Sequence, residues 1–338
     1  IFDAVKPSSN RKVWTLRRLI VDLAQLVLFG IMMILPGIDT SFRFTGLIVI
    51  LVVRLIVAGI FALLYRKKTD RKKTALKVMK VFSEARAQGV DAPDVSFMFP
   101  FGPVDHAGTQ MVELSNDIYK KGLYEDVWFK LDGKPMVMGW PGSLNSKDAK
   151  VADEIKKFFT FRSNLGGYQD KETTANQWGW LSRFPQAYFH NDKGEIEQIT
   201  VGTAVNHNYV KRIIAPMSLG ENIIGRTWTS RGYDTRENAI LYGACLSEQW
   251  ENALAVDPEI VFVTAWNEWV AMRIDNWPAS PEQYQNCFVD QYNAEFSRDC
   301  EPSAGILKDH YYNQMVSYIR RYKGCETAPT ASEQITPD

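Results

Sequence analysis

The sequence predicts an α/β fold, specifically a (β/α)₈ TIM-type barrel preceded by a helical apolar hairpin. The barrel is incomplete at its N-terminal side if residues 1–73 supply no strands. From Thr74 onward, short apolar runs alternate with amphipathic stretches, and this alternation argues for a parallel sheet, open or closed. No glycine-rich phosphate-binding motif follows any of these runs, so the usual signature of a nucleotide-binding fold is missing. Five or six strands can be counted after Thr74. A closed barrel would therefore need two or three more strands from upstream.

The distribution of charge divides the chain into differently built parts. The 338 residues carry 39 Lys+Arg and 39 Asp+Glu, and this balance argues against a nucleic-acid partner held by bulk charge. Residues 1–73 hold 13 basic and 4 acidic residues, whereas residues 74–338 hold 26 and 35. We therefore predict a basic segment at 1–73, a barrel at 74–326 and a polar tail at 327–338.

The basic segment contains two apolar runs, residues 19–38 and 44–65. Each is about long enough to cross a bilayer as a helix, which needs roughly 20 residues. Basic residues flank both outer ends, which favours a membrane hairpin with cytoplasmic ends and membrane contact through residues 19–65. Arg54 opposes this interpretation, because an arginine at mid-membrane costs about 2.5–3.5 kcal/mol.

Two other interpretations of the basic segment stay open. Residues 47–53 and 56–65 could be buried parallel strands that complete the barrel, since such strands also form continuous apolar runs. Alternatively, the segment is foreign to the barrel, through a shifted reading frame. The protein is membrane-associated if residues 19–65 are native helices, and otherwise soluble, either cytoplasmic or secreted. Cytoplasmic ends would conflict with a polysaccharide hydrolase, because such enzymes usually work outside the cell.

Periodicity and capping residues predict the order of elements after Thr74. Asp234, with Glu237 three residues later, forms a capping-box pattern before one helix, and Gly324 ends the last one. The predicted helices cover residues 74–90, 108–121, 146–159, 235–256 and 309–323. The predicted strands cover residues 95–101, 135–138, 196–205, 259–265 and 288–290.

The strongest functional pattern is Val-Phe-Val-Thr-Ala-Trp-Asn-Glu-Trp at residues 261–269. It predicts a buried strand that ends in Asn267 and Glu268 between Trp266 and Trp269. Functional groups of parallel α/β barrels lie at the carboxyl ends of strands. Apolar walls raise the pKa of a carboxylate, and aromatic rings can stack on a sugar. We therefore expect Glu268 to be catalytic and its three neighbours to bind substrate.

Several motifs in order resemble bacterial glycoside-hydrolase-like barrels related to the endo-α-mannosidase and polysaccharide-processing group. They are Trp-Asn-Glu-Trp, the block at residues 123–136 (Leu-Tyr-Glu-Asp-Val-Trp-Phe-Lys-Leu-Asp-Gly-Lys-Pro-Met), and Phe-Val-Asp-Gln-Tyr with Ser-Arg-Asp-Cys-Glu-Pro within 288–302. The resemblance covers about residues 74–324 and implies a barrel acting on glycosidic bonds. Relatives of the endo-α-mannosidase type carry Glu-Trp-x-Glu, whereas this chain has Ala271 in place of the second glutamate.

Weaker candidates could complete the site. Asp290, at a predicted strand end, is the best second carboxylate in the chain, although a turn or cap role fits equally well. Arg273 could bind a substrate hydroxyl or carboxylate, or form a salt bridge. Further substrate-binding candidates are the strand-end pair Asn206 and His207, and the aromatic pair Trp178 and Trp180, which could instead be core residues.

Together these patterns predict a carbohydrate-active hydrolase that cleaves a glycosidic bond of an oligo- or polysaccharide. No cofactor is expected, and neither the four scattered cysteines nor any cluster of His and carboxylates has metal-ligand spacing. One alternative is a degenerate carbohydrate-binding barrel that lacks full catalysis. Another is a membrane-anchored glycosyltransferase that assists polysaccharide assembly, which a sugar-nucleotide requirement would favour.

Overall fold

The computed structural model describes residues 71–168, 173–219, 221–267, 273–277 and 284–325. The predicted apolar runs at 19–38 and 44–65 and the polar tail at 327–338 lie outside these ranges. Within them, every helix is either too short or too polar to cross a lipid bilayer.

The described residues form five α-helices and fifteen strands. The helices are α1 (Arg71–Ala87), α2 (Asp105–Asp117), α3 (Ala149–Phe158), α4 (Ala244–Val256) and α5 (His310–Tyr322). The strands are β1 (Phe97–Met98), β2 (Lys130–Leu131), β3 (Lys134–Met138), β4 (Thr160–Tyr168), β5 (Gln177–Leu181), β6 (Tyr188–His190), β7 (Ile196–Val201), β8 (Val205–Asn208), β9 (Ile213–Ile214), β10 (Ile223–Ile224), β11 (Trp228–Thr229), β12 (Gly232–Tyr233), β13 (Ile260–Val263), β14 (Arg273–Asn276) and β15 (Gln285–Phe288).

The predicted (β/α)₈ barrel is wrong. Strands β1, β3, β4 and β5 form a parallel half-barrel, to which β2 adds an antiparallel pairing with β3. A separate sheet joins β13 to β7 in parallel and β6 to β7 in antiparallel fashion. Antiparallel pairings follow where a barrel would need further strand–helix units: β8 with β9 and β10, β11 with β12, and β14 with β15. The described part of the chain therefore has a mixed α/β fold.

Two compact units share the described residues. Among the described residues, the first comprises residues 71–96 together with Leu114–Phe129. Within it, the Arg86 guanidinium donates to the Ala92 carbonyl oxygen and to the Asp94 carboxylate, which ties the end of α1 to the chain that follows. The second unit, Phe97–Glu113 with residue 130 onward, contains every sheet described above.

The second unit builds its core around adjacent parallel strands joined by helices. Helix α4 is the last element before β13 on the long path from β7, which also includes β8–β12. Strands β7 and β13 pair from Ile260 opposite Gln198 to Val263 opposite Val201. Trp250 of α4 and Tyr318 of α5 stack with ring centroids 5.5 Å apart and planes 4° from parallel. The buried members of this core are Ile199, Val201, Leu246, Trp250, Ala253, Cys300, Leu307, Tyr311, Met315 and Tyr318.

A side-chain amide links β7 to β5. The Gln198 carboxamide accepts from the Gly179 N–H at 3.0 Å and donates to the Gly179 carbonyl oxygen at 3.1 Å. The Thr200 hydroxyl donates to the same carbonyl oxygen at 2.7 Å. A Cβ at Gly179 would come within 2.7 Å of the Phe189 ring, so only glycine lets the backbone of β5 lie this close to that ring. We call this contact between Gln198 and Gly179 the seam.

Most of the predicted helices are confirmed. Helices α3 and α5 lie within the expected ranges, whereas α1 begins before residue 74 and α2 before residue 108. Gly324 adopts the left-handed φ of 65° expected after a helix end. The helix expected at 235–256 begins only at Ala244. The strand expected at 288–290 is also wrong, because the chain pairs earlier, over Gln285–Phe288, in an antiparallel hairpin.

Gly108 of α2 provides a test of packing in the second unit. A Cβ at this position would overlap the backbone carbonyl of Ser143. Alanine favours a helix over glycine by roughly 1 kcal/mol, but forcing the backbones apart costs about 1–3 kcal/mol. We therefore expect Gly108→Ala to lower the free energy of unfolding in urea. Gly305→Ala is the control, because no atom lies within 4 Å of its Cβ position, and an equal effect of both changes would contradict the prediction.

Candidate functional site

The carboxyl end of β13 turns sharply and exposes an aromatic ring. The Thr264 N–H donates to the Val201 carbonyl oxygen at 3.0 Å, which extends the parallel pairing by one residue. Ala265 then adopts a left-handed φ of 61°, a conformation that costs an alanine roughly 1–2 kcal/mol. The next residue, Trp266, is 42% exposed. The turn therefore leaves a large aromatic ring in contact with solvent.

A second segment runs beside this turn and brings a carboxylate to it. The Cys300 N–H donates to the Ala265 carbonyl oxygen at 3.2 Å, and the Glu301 N–H donates to the Trp266 carbonyl oxygen at 2.9 Å. The Asn267 carboxamide donates to Glu301 Oε1 at 3.3 Å. Tyr312 of α5 meets Trp266 edge to face, with ring centroids 6.0 Å apart. We call Trp266, Asn267, Glu301 and Tyr312 the strand-end patch.

The structure places only some of the predicted site residues in this patch. Trp266 and Asn267 belong to it, whereas Glu268 and Trp269 lie outside the described residues. Arg273 begins β14 and donates to Asp275 at 2.5 Å and to Asn286 at 3.0 Å, so its guanidinium is held within the β14–β15 hairpin. Glu301 was not singled out from the sequence, although it lies in the Ser-Arg-Asp-Cys-Glu-Pro block.

Three other predicted residues meet in the interior of the second unit. Asp290 is 1% exposed, and its Oδ1 accepts from Arg298 Nη2 at 2.5 Å and from the Asn206 carboxamide at 3.4 Å. The Arg298 guanidinium lies over the Trp180 ring, 5.1 Å from its centroid. The other carboxylate oxygen, Oδ2, has no hydrogen-bond partner among the described residues. We call Asp290, Arg298, Asn206 and Trp180 the buried cluster.

A second buried arginine adjoins this cluster through the same chain segment. Arg226 is fully buried, and its Nη2 donates to the Ser297 hydroxyl at 3.1 Å and to the Asp299 carbonyl oxygen at 2.5 Å. Its guanidinium lies 4.1 Å from the centroid of the Tyr311 ring. Burial raises the pKa of Tyr311, although the charge of Arg226 opposes the rise. Residues 297–301 thus run continuously from the buried arginines to the strand-end patch.

Trp178 belongs to a different network from Trp180. Its indole N–H donates to Glu197 Oε2 at 2.7 Å. Arg162 forms a two-pronged ion pair with the same carboxylate, at 2.6 and 2.5 Å, and also reaches Asp132 at 3.2 Å. Burial opposes the charge of Arg162, but hydrogen bonds and attraction from Glu197 prevail and raise its pKa. Both indole rings are buried.

The second unit also buries a histidine and several cysteine thiols. His207 is buried in β8, where it pairs with Ile214 of β9. Burial raises the pKa of both Cys245 and Cys300 to about 12, so these thiols stay protonated at neutral pH and are poor nucleophiles. Among the described residues, His, Cys, Asp and Glu side chains form no group of three that could hold a metal ion.

No protein-family model, curated protein or solved structure matches the chain. The resemblance to glycoside-hydrolase-like barrels therefore stays a prediction from sequence motifs.

Proposed function

We propose that this protein is a carbohydrate-active hydrolase whose substrate binds at the strand-end patch. The observation that carries the proposal is the exposed Trp266 ring beside the hydrogen-bonded pair Asn267 and Glu301. An apolar ring next to polar groups that both donate and accept hydrogen bonds suits a sugar, which has C–H faces and hydroxyl edges.

The aromatic members of the patch support a binding role. Trp266 and Tyr312 are 42% and 40% exposed, and they contact each other in an edge-to-face arrangement. Two large rings that remain in water forgo part of the free energy that burial would supply, at roughly 25 cal/mol per Å² of apolar area. A sugar ring stacked on them would recover part of that free energy.

The chemistry needs two carboxyl groups, and the patch suggests which they are. Glu268 directly follows Asn267 in the sequence, and Glu301 accepts a hydrogen bond from Asn267. One carboxylic acid gives its proton to the glycosidic oxygen as the bond to the anomeric carbon breaks. The other carboxylate takes a proton from the water that attacks this carbon, or bonds to the carbon before water releases it. We assign these two roles to Glu268 and Glu301.

Asp290 fits a positioning role better than a catalytic one. It is almost fully buried and paired with Arg298, so it has little surface for a sugar to contact. The pair instead anchors the segment that leads from Arg298 to Glu301. This role departs from the catalytic one that the sequence favoured for Asp290.

Hydrolysis assays on glutamine variants test the proposal. We expect the wild-type chain to release product from at least one of a panel of aryl glycosides and polysaccharides. Glu301→Gln and Glu268→Gln should each lower kcat/KM by about 100-fold or more, because glutamine keeps the size but cannot exchange the proton. Glu259→Gln is the matched control, since Glu259 is exposed and immediately precedes the amino end of the same strand.

Three outcomes would contradict the proposal. Hydrolysis unchanged in both glutamine variants would exclude these carboxylates as the catalytic pair. Sugar binding without hydrolysis of any tested substrate would favour the carbohydrate-binding alternative. Product formation only with a sugar nucleotide would favour a glycosyltransferase.

A further inference from the structure

We propose that a groove between the β11–β12 hairpin and α4 is a second site for a neutral glycan chain. This inference rests on the proposed function and adds a place where a longer substrate would bind. The groove has a volume of about 490 Å³, and sites for small molecules typically have about 300–1,000 Å³. Its walls include Phe184, Thr229, Tyr242, Ser247 and Asn252, which offer aromatic, hydroxyl and amide groups.

The charged groups of the groove are balanced. Two arginines and two glutamates line it: Arg231, Arg236, Glu248 and Glu251. Because the two signs cancel, neither a strongly anionic nor a strongly cationic ligand gains from binding there. An uncharged polar ligand fits this balance.

Existing contacts hold three of these charged groups in place. Arg236 forms a two-pronged ion pair with Asp234, with Nη2 2.6 Å from Oδ2. Glu251 accepts from Arg321 at 2.6 and 3.0 Å. The Glu248 carboxylate accepts from the backbone N–H and the hydroxyl of Ser230. The groove therefore presents fixed donors and acceptors, and a ligand need not pay the entropic cost of ordering these side chains.

Tyr242 supplies the aromatic surface. The Arg236 guanidinium lies 4.2 Å from the centroid of this ring, which holds the ring in place. Half of the Tyr242 surface nevertheless stays exposed. A ring fixed in orientation but open to solvent is suited to contact with the C–H surface of a sugar.

One end of the groove lies towards the same end of β13 as the proposed catalytic patch. Helix α4 leads into β13, so it runs antiparallel to that strand, and its first residue, Ala244, lies towards the carboxyl end of β13. Ala244 lines the groove, and Trp266 follows the same end of β13. A glycan that extends beyond the strand-end patch could therefore continue along this side of the second unit.

Calorimetric titration with neutral hexasaccharides tests the site. Mannohexaose, maltohexaose, cellohexaose and xylohexaose are titrated into the full chain carrying Glu301→Gln, so that the probe is not consumed. We expect at least one probe to bind, and Tyr242→Ala in this background to weaken its binding by about fivefold or more. Tyr188→Ala is the matched control, because Tyr188 of β6 is similarly exposed at 44% but does not line the groove. It should leave binding unchanged.

Three outcomes would overturn the inference. The first two are that no hexasaccharide binds, or that binding is equal with and without the Tyr242 ring. The third is that an oligogalacturonate, titrated as an anionic probe, binds in the groove more tightly than every neutral probe. The result is independent of the hydrolysis assays. Groove-dependent binding in a chain that hydrolyses nothing would refute the proposed function alone, whereas hydrolysis without groove-dependent binding would refute the groove alone.

Discussion

Asp290→Asn is expected to lower the free energy of unfolding by about 3–5 kcal/mol. The substitution keeps the shape of the side chain but removes the negative charge 2.5 Å from Arg298 Nη2. Both side chains are 1% exposed, so water cannot take over the role of the carboxylate. The buried guanidinium would then lose the opposite charge of Asp290, and the uncompensated part of its desolvation is the main cost.

Urea unfolding followed by far-UV circular dichroism measures this loss. Asp275→Asn is the matched control, because it removes the same kind of partner from Arg273 in a pair whose side chains are 53% and 55% exposed. Its effect should stay within about 1 kcal/mol. Adding Arg298→Met to Asp290→Asn should restore much of the stability, because no unpaired charge is then buried. An equally small loss in both single variants would show that Asp290 does not compensate Arg298.

Glu197→Gln should have a similarly large effect, also about 3–5 kcal/mol. The change removes the main negative partner of Arg162 and weakens the acceptor of the Trp178 indole N–H. Arg162 would keep only Asp132 as an anionic partner among the described residues, and that side chain is 59% exposed. Solvent screens an exposed partner, so Asp132 compensates the buried charge poorly.

The same unfolding assay, combined with tryptophan fluorescence, measures this loss. Asp132→Asn is the control, since it removes the exposed partner of the same guanidinium and should cost about 1 kcal/mol or less. A larger loss from Asp132→Asn than from Glu197→Gln would mean that the exposed carboxylate is the main counter-ion of Arg162.

Local patterns predicted the helices well, except where isolated residues interrupt a helical pattern. The capping box expected at Asp234 does not form, and the Asp234 carboxylate instead accepts from the backbone N–H and the guanidinium of Arg236. Asn238 and Gly243 then adopt left-handed φ values of 54° and 56°, which no helix accommodates. Helix α4 therefore begins after Gly243.

Strands were predicted where apolar residues follow one another and missed where buried residues are polar. Strand β7 was expected from its alternating pattern, and β13 from its continuous apolar run. Strand β4 was not, because its Arg162 and Asn164 make it resemble a loop. Both polar side chains can be buried because they form hydrogen bonds inside the fold, Arg162 with Glu197 and Asn164 with the Phe99 carbonyl oxygen. These partners lie 35 and 65 positions away in the sequence. Such distant pairing leaves no local pattern in the sequence.

The candidate site was likewise predictable only where its residues follow a local sequence pattern. The strand-end motif indicated Trp266 and Asn267, because residues directly after a buried strand lie at its carboxyl end. It could not indicate Glu301, whose hydrogen bond to Asn267 spans 34 positions. Arg298 was missed for a related reason. It pairs with Asp290 and contacts the Trp180 ring only in the folded chain.

The seam makes part of the connection between two sheets depend on the codon for one side chain. Hydrogen bonds between backbones do not depend on side-chain identity, so a sheet usually tolerates genetic drift as long as its residues still pack. Here Gln198 supplies both a donor and an acceptor to Gly179. Glutamate would lose the donor, asparagine is one methylene shorter, and leucine offers neither group. Few amino acids can therefore replace Gln198 and keep both hydrogen bonds to Gly179, and the Thr200 hydroxyl would still donate to the same carbonyl oxygen.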